Sequence, residues 1–276
     1  MGLFGCKKRT TVEVPRSILE AKAATQEELL KFLNRYGEIE TLQAAIKAEY
    51  TSEEKDYDQI ELERYPKAPG HIFLKRPDST FLFIQNPVLL KREISFLSVG
   101  DEFRVWIHGK SRFYIGKNSS KELVSDEMER SFKIPIRAAH LHQAILPETI
   151  SLQDETLRVS KTEKEDDAGA YYILGIFRDT GTQKLVPLRE FEIERVNLTV
   201  ARQSIFGPEG KIEADIQYSD VREQEGFFLP GKIDIKRPLD GYNLVLELQD
   251  WRINPVIKED VFKLDPPPGV EVIRFK

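Results

Sequence analysis

Phe96-Leu97-Ser98-Val99-Gly100-Asp101-Glu102-Phe103-Arg104-Val105-Trp106-Ile107 is an apolar run, a glycine turn and an aromatic run in succession. A connection as short as Gly100-Asp101 joins only antiparallel neighbours, so this stretch reads as a hairpin. Outward from it, strand signals occupy His71 to Lys75, Thr80 to Gln85, Leu90 to Val99, Glu102 to Ile107 and Arg112 to Gly116. Pro77-Asp78 and Gly109-Lys110 supply two more turns, and the first half of the chain becomes a meander.

Upstream, Thr25 and Glu28 have the spacing of a capping box, which satisfies two orphan amides at a helix start. Leu29, Phe32, Leu33, Tyr36 and Ile39 follow as one apolar stripe, which Gly37 loosens at its far end. The period then changes to two: Leu42, Ala44, Ile46, Ala48 and Tyr50 alternate with polar residues, as in a half-buried strand. Glu53, Glu54, Lys55 and Asp56 read as a polar loop. Downstream, a second capping-box spacing at Ser119 and Glu122 and a segment from Arg137 to Leu146, closed by Pro147, form a helical insert. Strands resume at Thr156 to Ser160, Tyr171 to Arg178, Leu185 to Val200, Ile212 to Tyr218, Gly231 to Arg237, Asn243 to Asp250 and Val270 to Phe275. The class is mainly β with α cover: helices lie on one apolar face of a strongly curved antiparallel sheet, and its outer face is wet.

The chain has 276 residues, 40% of them hydrophobic and 10% aromatic, enough for one sizeable core. One cysteine excludes an internal disulfide, so apolar burial must hold the fold. A net charge of −5 with both signs interspersed argues against nucleic-acid binding. The uncharged run between Asp78 and Lys91 is too short for a membrane span and contains Gln85, Asn86 and Pro87.

Leu3-Phe4-Gly5-Cys6 reads as the end of a bacterial lipoprotein signal, with a bulky apolar residue three before the thiol and the smallest residue directly before it. The charged start and apolar stretch that export requires are not in this sequence, which is therefore read as a late start or a trimmed signal. Two alternatives stand beside this reading: an idle lone cysteine, and myristoylation at Gly2 with palmitoylation of Cys6, which lacks the expected hydroxyl residue at position six. Residues 1–24 are read as a lipobox remnant and tether of roughly 60 Å at most, with Lys7, Lys8 and Arg9 beside the headgroups. Residues 25–276 are read as one domain.

The hairpin at Phe96 to Ile107, then Phe113-Tyr114-Ile115-Gly116, resembles the superfamily of bacterial lipoprotein-localisation factors (LolA/LolB-like), the periplasmic carrier and its outer-membrane receptor. More specific are Phe228-Leu229-Pro230-Gly231-Lys232-Ile233, Ile253-Asn254-Pro255, Phe262-Lys263-Leu264 and Pro266-Pro267-Pro268-Gly269-Val270-Glu271-Val272-Ile273. The resemblance implies a half-barrel of roughly eleven strands around helices, with an apolar cavity for acyl chains. The receptor is itself a lipoprotein, which Cys6 would match. It also inserts into membranes by an exposed apolar loop, and no such loop stands out in this sequence.

The chemistry of an enzyme is not visible. His140 and His142 are two residues apart, which on a helix directs them to different faces, unlike a zinc-binding pair. Serine-elbow, phosphate-loop and dinucleotide patterns are absent, and the acidic run Glu163 to Asp167 matches no calcium loop and reads as a solvated turn. The expectation is a protein without catalysis, metal or cofactor, monomeric, held on the bacterial outer membrane facing the periplasm, that binds an acyl chain or lipoprotein. Its candidate ligand contacts are Phe81, Phe83, Phe96 and Phe103, at two-residue spacing within adjacent hairpin strands. The alternative is a docking lipoprotein with an ordinarily packed interior.

In a bacterial host, with a complete signal restored, the mature protein should carry a diacylglyceryl group on Cys6 and partition into membranes, because acyl chains contribute about 0.8 kcal/mol per buried CH₂. Cys6→Ser should be soluble. Intact mass showing an unmodified thiol in the exported protein would refute the lipoprotein reading.

Overall fold

The computed structural model describes residues 20–56, 59–118, 138–151, 153–182 and 184–274, except the side chains of 53–63, 110 and 138–140. Cys6, the basic run after it, most of the expected tether and the Ser119–Glu122 spacing lie outside the described residues.

Helix α1 spans Gln26–Arg35. Its capping box is formed: Thr25 Oγ1 accepts the Glu28 amide at 3.2 Å and the Glu28 carboxylate accepts the Thr25 amide at 2.7 Å. These bonds hold the Glu28 carboxyl below its ordinary pKa. Leu29, Leu30 and Leu33 face the sheet, and a 3₁₀ turn at Tyr36–Glu38 carries Tyr36 into the core. Gly37 is required by close approach, since a Cβ there would meet Thr149 Cγ2 at 2.4 Å. Residues before α1 are also held to the sheet: Lys22 donates its amide to Arg195 O, and the Tyr172 hydroxyl bridges Lys22 and Ala24.

The first meander comprises β1 (Thr41–Asp56), β2 (Gln59–Lys75), β3 (Ser79–Gln85), β4 (Arg92–Val99), β5 (Glu102–Ile107) and β6 (Arg112–Lys117). After α2 (Ala138–Ile145) the second contains β7 (Leu157–Asp166), β8 (Gly169–Asp179), β9 (Leu185–Glu194), β10 (Thr199–Phe206) and β11 (Ile212–Ser219). A small separate hairpin, β12 (Arg222–Gln224) with β13 (Phe227–Leu229), precedes β14 (Lys232–Arg237), β15 (Tyr242–Ile253) and β16 (Glu271–Arg274).

One sheet has the order β16-β6-β5-β4-β3-β2-β1-β15-β14-β11-β10-β9-β8-β7. The half-barrel of about eleven strands is thus corrected to an open curved sheet of fourteen. Its two meanders meet where β1 pairs antiparallel with β15, from Leu42 opposite Ile253 to Ser52 opposite Tyr242. Among the described strands the one parallel pair is β16 with β6, through which β16 covers the β6 edge.

Three further expectations are corrected. Glu53 to Asp56 are not a loop; they continue β1 in ladder with β2, as far as Asp56 opposite Gln59. The run Leu185 to Val200 is two strands joined by a turn without Gly or Pro, held because the Glu194 carboxylate accepts the amides of Val196 and Asn197, with Leu198 left-handed at φ 58°. The acidic run from Glu163 continues β7 to Asp166, whose carboxylate closes the next turn by accepting the amides of Ala168 and Gly169.

The helix-side core joins Leu42, Ala44, Ile46, Ile72, Leu82, Val105, Ile216 and Leu246 to Leu141 and Ile145, and a second cluster packs α1 on Tyr172, Leu174 and Phe191. The outer face over β3 to β6 is not wet. Val261, Phe262, Leu264 and Val270 cross it and bury Phe81, Phe113 and Ile115, and Arg104 ties the crossing down through Leu264 O and Asp265. Beyond Gly70, the Gln59–Pro69 part of β2 has no β3 partner; Pro66 and Pro69 lie in it, lacking the amide protons that invite another strand. No helix among the described residues is long and apolar enough to cross a membrane.

A chain ending at Ile253 should lose the cooperative melt and aggregate. It would lack β16, the crossing segment and Asn254, whose amide group binds the backbone of Glu38, Glu40 and Thr41. A soluble fragment with a single two-state transition would contradict the one-domain reading.

Candidate functional site

The helix-side face of the sheet is apolar, and α1 and α2 cover it. Between them is a small hollow of about 30 Å³, lined by Leu33, Tyr36, Ala144, Ile145, Val200, Tyr218 and Phe228 among others. That is the room of a water or so, against the roughly 300–1,000 Å³ of ligand pockets in general. In this state the cover is closed.

The cover is fastened by polar groups. Arg76, at the end of β2, donates from Nε to Ile39 O at 3.0 Å and from Nη2 to Tyr36 O and Pro147 O, both at 3.1 Å. One guanidinium therefore ties the end of the α1 segment, the segment after α2 and the sheet together. Its burial lowers the Arg76 pKa, against the pull of Glu40 and Glu148. Asn34 repeats the device: its side-chain amide donates to Ile150 O at 2.8 Å and accepts from the Ile150 amide at 2.6 Å. Both bonds join α1 to the segment after α2.

Two tyrosines complete the lining. Tyr36 donates to Phe228 O at 2.7 Å, while the Tyr218 hydroxyl lies 2.8 Å from Ala144 O and 2.9 Å from Gln203 Oε1. One hydroxyl proton cannot serve both acceptors. Turning over the Gln203 amide, whose Nε2 is otherwise buried without a partner among the described residues, lets it donate to Tyr218 while Tyr218 donates to α2. Burial raises the pKa of both phenols, so both stay neutral donors.

The four candidate phenylalanines do not share a face. Phe96 and Phe103 are on the helix side, nearly parallel at 6.5 Å. Phe81 and Phe83 are on the outer side with Leu97 and Phe113, and Arg92 lies 4.1 Å from the Phe83 ring centroid. The register decides this: Leu82, not Phe81 or Phe83, stands opposite Phe96.

Sequence reasoning missed the loop from β3 to β4. Val88, Leu89 and Leu90 are 83%, 66% and 61% exposed, followed by exposed Lys91 and Arg92. The loop is built to hold them outward. Asn86 Oδ1 accepts the amides of Val88 and Leu89, Asn86 O accepts that of Leu90, and Gln85 donates to Leu90 O. The visible signal was the uncharged run ending at Lys91, but assigning Leu90 to the next strand hid the three apolar tips. Of the expected histidine pair, His142 is buried on α2, and the His140 side chain is outside the described residues.

No protein-family model and no curated protein matches the chain. Several solved structures are similar to it. A DUF1329-family protein from Desulfovibrio piger has a TM-score of 0.50 at 12% identity, over 86% of this chain and 95% of its own. A LolA-superfamily protein from Nitrosomonas europaea gives 0.50 at 13%, over 87% and 99%. An outer membrane lipoprotein-sorting protein domain from Vibrio parahaemolyticus gives 0.50 at 10%, over 86% and 97%. At 10–13% identity these likenesses concern the fold alone, which is similar to that of a LolA-superfamily protein.

Proposed function

We propose that this protein is a non-catalytic lipoprotein of the bacterial envelope that takes an acyl chain, free or carried by a lipoprotein, between its helical cover and its sheet. The observation that carries the reading is the cover itself: two short helices over a broad apolar face, fastened through Arg76, Asn34 and Tyr218. Apolar contacts between cover and sheet are non-directional, and an acyl chain can replace them. The polar fasteners are few and reversible.

The Val88–Leu90 loop supports a membrane-facing position, with its apolar tips at the acyl boundary and Lys91 and Arg92 at the headgroups. An acylated Cys6 would hold the protein near that surface, on the outer membrane facing the periplasm. The fold's likeness to a lipoprotein-sorting domain supports the same class of ligand. A docking lipoprotein is the second reading, favoured by the closeness of the packing around the hollow.

Saturable uptake of a fluorescent fatty acid separates the two. The wild-type protein should bind the probe, and Val200→Trp, filling the half-buried rim of the hollow, should abolish binding while far-ultraviolet circular dichroism stays native. No saturable uptake by wild type would leave the docking role.

Arg76→Leu should lower stability by about 1–3 kcal/mol, the usual cost of orphaned buried polar groups, and speed probe uptake at least several-fold. An uptake rate unchanged in a folded Arg76→Leu protein would show that the cover is not held by this residue.

A further inference from the structure

Beside the Arg76 fastening is a group that the proposed function does not use. His142 sits on the sheet-facing side of α2, 6% exposed, and its Nε2 has no hydrogen-bond partner among the described residues. Its backbone carbonyl holds the Leu146 amide at 2.7 Å, the last turn of the helix. Among the described residues, the polar and charged groups that act on it come from two segments. From the end of β2 and the turn after it come the Lys75 backbone, Arg76 and Asp78; from the segment after α2 comes Glu148.

These neighbours do not cancel. Arg76 is half-buried and gives three of its donors to carbonyls. Glu148 is engaged by Arg189 in an ion pair, and Asp78 is exposed to water. A proton on buried His142 therefore creates a cation in an apolar interior, near the half-buried guanidinium that ties the ends of both helical segments to the sheet. Desolvation and like-charge repulsion both oppose that proton.

We propose that His142 is a proton-operated release for the helical cover: protonating it weakens the Arg76 fastening and frees α2 and the segment after it from the sheet. This rests on the cover being the moving part in the proposed function, and it adds the condition that moves it. Mild acidity opens the site, and neutral pH keeps it shut.

The direction follows from linkage. Burial, then Arg76, hold the pKa of His142 below its ordinary value of 6.5 in the closed state, while the Lys75 backbone, Asp78 and Glu148 pull weakly the other way. In an open state the ring returns to water and to about 6.5. Above that pH both states are unprotonated and closure is complete in its stability. Below it the open state binds the proton first, so the open-to-closed ratio rises by up to about tenfold per pH unit, levelling at the closed-state pKa.

Amide hydrogen exchange on the full chain without ligand reads this directly. Corrected for the intrinsic pH dependence of exchange, protection of Leu146 should fall by up to about tenfold per unit below pH 6.5, while Leu246 in β15 should hold. His142→Gln, neutral at every pH, should abolish the dependence. An equal fall in His142→Gln and wild type, or none in wild type, overturns the proposal. Should the variant fail to fold, magnetic-resonance titration of the His142 ring in wild type decides: loss of protection must accompany proton uptake by that ring, and loss while the ring is still neutral refutes the release. The outcomes separate from those of the binding reading. A protein that takes up no acyl probe yet opens with acid keeps the release, and one that takes up probe at a pH-independent rate loses only the release.

Discussion

The pairing of β1 with β15 is the constraint on which the rest of the molecule depends. Either meander alone is an open sheet with uncovered apolar surface and a bare edge, which is not a stable arrangement in water. Joined from Leu42–Ile253 to Ser52–Tyr242, they become one surface wide enough to curve around α1 and α2. Every other feature is placed by that seam. Asn254, immediately beyond it, turns back and binds the chain before β1 through three hydrogen bonds, and the segment that follows crosses the outer face of β3 to β6.

Much of the fold was legible where local chemistry decides it. Thr25 and Glu28 announce a helix start because the reciprocal bonds need only four residues, and β5 begins and ends at the expected residues because Gly100 and Gly109 flank it. Leu42, Ala44, Ile46 and Tyr50 lie buried on one face, as their alternation requires. What was not legible depends on partners far away. Glu53 to Asp56 are polar, yet pairing with β2 keeps them extended. The turn after β9 lacks glycine and proline because a glutamate side chain supplies its hydrogen bonds.

The candidate site divides in the same way. Burial runs unbroken through the middle of both strands, over Thr80, Phe81, Leu82 and Phe83 in β3 and Ser95, Phe96, Leu97 and Ser98 in β4. Both faces are covered, so alternation carries no information about which side a phenylalanine takes. The fastening around Arg76 was invisible for a different reason. A guanidinium bonded to the carbonyls of Tyr36, Ile39 and Pro147 leaves no trace in residue spacing, since carbonyls belong to every residue.

The seam also has a meaning in time. The ribosome releases β1 long before β15, with close to two hundred residues between them, roughly 10–40 s of synthesis. Throughout that interval β1 and β2 form a hairpin whose far edge has nothing to pair with. The first meander can pair hairpin by hairpin in that time, yet its β1 edge stays bare until β15 arrives. Closing the seam is thus a late, long-range step, and a chain held short of it presents a strand edge on which another chain can pair.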